Sequence, residues 1–275
     1  MSLLLLARPT HPAAPASAPI WKMLFDRQQA LLHRRAGPAF GRTLAELGLR
    51  RETLPDLPAV ARLIRQRTGW TLRFGAAPLP EAAYYAALAR RELPVVSRLR
   101  TFANFDEPRG GIDLFADLFG RVPLLFEAGY AAALAEMGRV AALATTPPAR
   151  ALLHRFVGAT FERGLVAAAD GQPVFYGRAL LTSAQELHAA SATEAGSLRP
   201  LAGAARQLSP ADPAAPDKVA VSFHLLAASW AELLAETRQL GLELIRLQRP
   251  TPRPHALAPT SSPGRVHAFA ARQLG

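Results

Sequence analysis

Apolar residues at three- and four-residue spacings, cut at short intervals by glycine or proline, constrain this chain more than any other feature. Trp21, Leu24, Phe25, Leu31 and Leu32 share one helical face and stop at Gly37-Pro38. A second helix is expected over Phe40 to Leu47, ending at Gly48, and a third over Leu57 to Thr68, with Val60, Leu63 and Ile64 inward and arginines outward, ending at Gly69. Pro80 suits the first turn of a helix over Glu81 to Arg91. Further helices are read over Tyr130 to Leu143 and, after the break at Thr146-Pro147-Pro148, over Ala149 to Leu165. A pattern of period 3.6 repeated this often excludes a sheet-dominated fold.

Extended pieces are short. Trp70 to Phe74 alternates, and Asp170-Gly171 is a tight-turn signal between Val166 to Ala168 and Val174 to Tyr176. Residues 195–217 read as a surface loop, followed by a short strand and an amphipathic helix capped by Ser229 with Glu232 three residues on. The expected architecture is mainly α, a basket of helices with a small antiparallel β hairpin. Residues 1–19 are expected to form a flexible N-terminal arm, 20–248 the domain, and 249–275 a disordered basic tail. With 275 residues, 50% of them apolar, the chain can fill one sizeable core.

The formal charge of +11, from 32 basic against 21 acidic residues, raises the question of nucleic acid. The arginines are spread along helix faces, as at Arg50-Arg51, Arg62, Arg65, Arg67 and Arg90-Arg91, without interleaved aromatics. Heavy Ala, Arg and Pro usage fits a GC-rich coding bias, so no nucleic-acid partner is expected. Cysteine is absent, which removes disulfides, thiolate metal sites and thiol nucleophiles. No run approaches the roughly 20 apolar residues of a membrane span, and Met1 to Leu6 lacks the basic start of a signal peptide. A cytoplasmic monomer or weak dimer with no membrane partner is expected.

The stretch Phe115-Ala116-Asp117-Leu118-Phe119-Gly120-Arg121-Val122-Pro123-Leu124 resembles the iron-binding helix of the biopterin-dependent aromatic amino acid hydroxylases, His-Asp/Glu-x-x-Gly-His-x-Pro-Leu. Other segments are similar in the same order: "IWKMLF" to the family's tryptophan-led first helix, "YYAALARRELPVVSRLR" to F-x-x-x-L-A-x-R-x-F-P-V-x-x-x-x-R, "VGATFERGL" to Y-W-F-T-V-E-F-G-L, and "YGRALLTSAQEL" to Y-G-A-G-L-L-S-S-x-G-E-L. The resemblance covers roughly Ile20 to Glu243. It implies the family's catalytic-domain fold, of the bacterial phenylalanine 4-monooxygenase type, with Fe(II) and tetrahydrobiopterin as cofactors and an aromatic amino acid as substrate. It also implies that Leu79, Tyr84 and Asp117 contact the pterin, that Arg100 and Ser183 serve the substrate side, and that Glu162 is the carboxylate ligand of the metal.

Two positions depart from that pattern. Ala116 and Arg121 stand where the ligand histidines belong. A methyl group has no lone pair to give, and a guanidinium, cationic at any working pH, repels a metal ion. None of the seven histidines restores a ligand spacing; His154, for example, lies about 12 Å along a helix from Glu162. The expectation is therefore that no cofactor is bound, that iron binding and monooxygenase activity have been lost, and that Arg121 or Arg163 pairs with Glu162 in place of the ion. The expected role is a ligand-binding or regulatory pseudoenzyme for an aromatic amino acid or pterin-like molecule. The alternatives are an active iron- and pterin-dependent monooxygenase with unusual ligation, and a metal-free enzyme using Asp117, Glu162 or Glu186 as acid or base.

Overall fold

The computed structural model describes residues 17–33, 35–106, 112–192, 198–209 and 223–248. Most of the N-terminal arm, the basic C-terminal tail and the glycine pair at 110–111 lie outside the described residues. Helices α1 (Ser17–Leu31), α2 (Pro38–Glu46) and α3 (Leu57–Thr68) lead to strand β1 (Thr71–Gly75), helix α4 (Glu81–Ala89) and strand β2 (Glu92–Val96). The centre follows with α5 (Leu114–Gly120), a 3-10 turn (Val122–Phe126), α6 (Ala128–Ala141) and α7 (Pro147–Val157). After a π-helical turn (Gly158–Glu162) come β3 (Leu165–Ala167), β4 (Pro173–Phe175), α8 (Arg178–Thr182), α9 (Ala184–Ala192), β5 (Leu198–Pro200), α10 (Ala204–Gln207), β6 (His224–Ala227) and α11 (Trp230–Arg246). The fold is mainly helical, and no single described helix is long and apolar enough to cross a membrane.

Every residue of α5 is buried. Phe115 and Phe119, one turn apart, stack at 4.8 Å, and their outer edges meet Trp21 of α1 at 5.4 Å, Phe25 of α1 at 5.3 Å and Phe40 of α2 at 5.5 Å. Such tilted aromatic contacts add to the burial of large apolar rings, so α5 is the spindle on which the first two helices pack. Its N-terminus is capped by Asp113, which accepts from the Ala116 amide.

The hairpin signal at Asp170-Gly171 is realised as antiparallel β3 and β4, with Leu165 opposite Phe175 and Gly171 at φ +80. The sheet is larger than a hairpin: β6 and β5 extend it in the order β4-β3-β6-β5, with parallel β3–β6 and β6–β5 pairs. A second, two-stranded parallel sheet joins β1 to β2. The α4 helix ends at Ala89 rather than Arg91, and Arg91, at φ 58, turns the chain into β2. The supposed surface loop at 195–217 carries β5 and α10, with Leu201, Ala204 and Ala205 buried. Small residues there pack as core, which composition alone conceals.

Candidate functional site

The helix expected over Ala149 to Leu165 is divided in the structure. Thr146 caps α7, and beyond Val157 the chain widens into the π turn, where the Thr160 hydroxyl donates back to the Phe156 carbonyl at 2.6 Å. Wide turns of this kind re-aim the side chains that follow. Glu162 is the last residue of the turn, facing the C-terminal end of α5 across the interior.

Arg121 and Glu162 meet there. Nη2 of Arg121 donates to Glu162 Oε1 at 2.7 Å, and Nη1 donates to the Tyr84 hydroxyl. A second arginine, which sequence reasoning missed, completes the group: Arg178, the first residue of α8, places Nε 3.2 Å from Oε1 and Nη2 2.6 Å from Oε2. Both carboxylate oxygens are thus occupied by guanidinium nitrogens, and the side chains of Arg121, Arg178 and Glu162 are 9%, 12% and 17% exposed. The signal for Arg178 was its position in the segment YGRALL, where the resembling motif Y-G-A-G-L-L has alanine. Arg163 points elsewhere, forming a two-pronged pair with Glu186 near the surface.

Burial alone would raise the Glu162 carboxyl pKa, but Arg178 and Arg121 outweigh it and hold the group below the usual carboxylate range. Arg121 stays protonated despite burial, through Tyr84, Glu162 and Asp117. Burial pushes the Tyr84 and Tyr130 hydroxyls upward. Asp117 lies beneath the cluster, 1% exposed; its Oδ2 accepts the Val96 amide at 2.9 Å, tying β2 to α5, and Oδ1 has no partner. Burial raises its pKa against the opposing pull of Arg121.

The remaining residues singled out in the sequence are spread around this centre. Arg100 is buried, its fork closed on Asp113 with Nε–Oδ2 2.7 Å and Nη2–Oδ1 3.1 Å. Beside it opens a cavity of about 250 Å3 lined by Arg98, Arg100, Thr101, Asn104, Ile112 and Asp113. Leu79 is exposed in the loop before α4. Ser183 is buried and its hydroxyl accepts the Glu186 amide at the start of α9, while Ala116 is fully buried in α5. Among the described residues no group of three or more His, Cys, Asp or Glu side chains could hold a metal ion.

A profile of the biopterin-dependent aromatic amino acid hydroxylases matches residues 14–212. The chain belongs to that family. It is 30% identical to the phenylalanine-4-hydroxylase of Ralstonia nicotianae over 184 residues, 66% of this chain and 57% of that protein. With the Vibrio cholerae phenylalanine-4-hydroxylase it shares 34% over 178 residues, 63% of this chain and 60% of the relative. It therefore aligns with about three fifths of the length of these relatives. Chromobacterium violaceum phenylalanine hydroxylase, with bound iron(III) and 7,8-dihydrobiopterin, superposes with a TM-score of 0.74 at 24% identity, over 88% of this chain and 87% of that one. The Legionella pneumophila enzyme superposes with a TM-score of 0.70 at 25% identity, over 85% and 96%. Ala116 and Arg121, the positions that depart from the family motif in the sequence, lie in and at the end of α5, and Arg121 contacts Glu162 together with Arg178.

Proposed function

We propose that this chain is a hydroxylase-family protein that works without iron, binding an aromatic amino acid or pterin-like small molecule as a ligand-binding or regulatory protein rather than as a monooxygenase. The observation that carries this reading is the double occupation of Glu162 by Arg121 and Arg178. A ferrous site of the family's kind needs two neutral imidazoles and a free carboxylate with open coordination positions. Here one imidazole position is a methyl group, the other is a cation, and the carboxylate is already neutralised. The residues present do not fit the ion.

Ligand recognition in this reading uses parts of the frame that remain. Leu79 and Tyr84 border the expected pterin position. Arg100 and the cavity beside it, with Arg98, Thr101 and Asn104, offer donors for a carboxylate. Because the fork of Arg100 is closed on Asp113, Arg98 supplies the freer charge. Ser183 lies on the substrate side by family position.

A thermal-shift series with L-phenylalanine, L-tyrosine, L-tryptophan and tetrahydrobiopterin, each with and without a chelator, tests the proposal. A ligand at about 100 times its Kd stabilises the folded form by about 2.7 kcal/mol. The expected result is a shift with at least one of these ligands, unchanged by the chelator. Binding that requires added iron, or tyrosine formed from phenylalanine, would overturn it.

A further inference from the structure

The family frame directs attention to the two missing histidines, but the geometry around Glu162 gives the larger part to a third position. Arg121 reaches the carboxylate with one nitrogen, whereas Arg178 reaches both oxygens, Nε to Oε1 at 3.2 Å and Nη2 to Oε2 at 2.6 Å. Removing Arg121 would therefore free neither oxygen. Arg178 also has little freedom to leave. The residue before it, Gly177, lies directly on the backbone of the acid: a Cβ there would stand 2.5 Å from the Glu162 carbonyl oxygen and 2.5 Å from the Arg163 amide nitrogen. On its other side Gly120 of α5 lies so close that a Cβ would stand 3.1 Å from Arg178 Cγ and 2.5 Å from Thr182 Cγ2. The Thr182 hydroxyl donates to the Arg178 carbonyl at 2.8 Å, closing the short helix α8 on itself. The arginine is thus held at both ends, with its backbone against Glu162 and its guanidinium on both carboxylate oxygens.

We infer that Arg178 is the metal-excluding residue of this protein: a specificity-determining side chain that closes Glu162 to divalent cations independently of what occupies positions 116 and 121. This deepens the metal-free reading and rests on it. A carboxylate held by a bidentate guanidinium must give up two charge-assisted hydrogen bonds before it can coordinate an ion, and the cation left behind would then repel that ion. Restoring both histidines leaves this arrangement in place. Restoring a divalent site takes three substitutions, the third of them at Arg178.

The test compares full-length wild type, Ala116→His/Arg121→His, and Ala116→His/Arg121→His/Arg178→Ala for binding of Co(II) alone, read by isothermal titration and by the visible absorption of the bound ion. The inference predicts that the triple variant binds Co(II) about 10- to 100-fold more tightly than the double variant, the scale on which residues that hold a ligand govern metal affinity. Equal affinity of the double and triple variants would overturn it, as would a folded triple variant that binds no Co(II). Should the alanine variant fail to fold, Arg178→Gln in the same background keeps the first three carbons and a hydrogen-bonding end without the charge, and the same comparison applies. Tight Co(II) binding by wild type would overturn the metal-free reading itself, so that failure is distinguishable from equality of the two variants.

Discussion

Arg178 grips Glu162 by both carboxylate oxygens, Nη2 to Oε2 at 2.6 Å and Nε to Oε1 at 3.2 Å, while Arg121 adds a third contact of 2.7 Å to Oε1. Two cations on one buried acid cross-link α5, the π turn and α8. Three elements far apart in the chain are thereby joined through charge. In the low-dielectric interior none of the three groups can lose its partner cheaply.

Glu162→Ala should accordingly destabilise the fold. Breaking a buried pair from one side costs about 3–5 kcal/mol, and here two guanidiniums would be stranded. Urea unfolding checks this; a loss below about 1 kcal/mol would place the pair in the weak class of surface bridges. The Arg163–Glu186 pair is such a bridge, with the arginine side chain 44% exposed, so Arg163→Ala should change stability by about 1 kcal/mol or less.

The acid limb of the stability curve should carry the mark of Glu162. Its folded-state pKa lies below the ordinary value, so its contribution is fully present above the unfolded value of about 4.3 and is lost as pH falls through the lower folded value. Urea midpoints measured from pH 6 downward should fall more steeply for wild type than for Glu162→Gln below that point. Parallel curves would argue that the carboxyl is not held low.

Tyr84→Phe removes the hydroxyl that accepts from Arg121 Nη1. A buried donor left without a partner costs about 1–3 kcal/mol, so a loss of that size is expected in chemical unfolding. A change within experimental error would mean that water replaces the hydroxyl.

Gly177→Ala should be harmful although the added group is a single methyl. Its Cβ would meet backbone atoms of Glu162 and Arg163 at 2.5 to 2.6 Å, and backbone cannot move aside as a flexible side-chain end can. Overpacking of this kind costs about 1–3 kcal/mol. It should also displace Arg178, so the change in the Glu162 acid limb should accompany the loss of stability. Full stability with an unaltered acid limb would contradict the close approach.

Much of this was legible in the sequence, for identifiable reasons. The helices α1, α3, α6 and α11 carry long runs of period 3.6, and the β3–β4 hairpin is announced by Asp170-Gly171. Strand β2 was hidden because "ELPVV" directly follows a helix without a glycine or proline, and the turn between them is made by Arg91 in a left-handed conformation. The strand β5 and helix α10 were masked by Ala- and Pro-rich composition. At the site, Glu162 and its approach by Arg121 could be anticipated from the resemblance of the Phe115 to Leu124 stretch to the family's helix motif. Arg178 could not be placed from helical spacing, because its reach to Glu162 depends on two glycines, Gly120 and Gly177, that bring separate elements within van der Waals distance. Arg163 was a plausible partner by adjacency alone, yet a side chain next to Glu162 in sequence leaves the π turn on a different side and finds Glu186 instead.

The measurement that bears most directly on the account is the iron content of full-length protein equilibrated anaerobically with excess Fe(II) and then desalted, followed by assay with phenylalanine and tetrahydrobiopterin. The account predicts iron far below stoichiometry and no tyrosine. One tightly held iron per chain, with tyrosine formed, would contradict it.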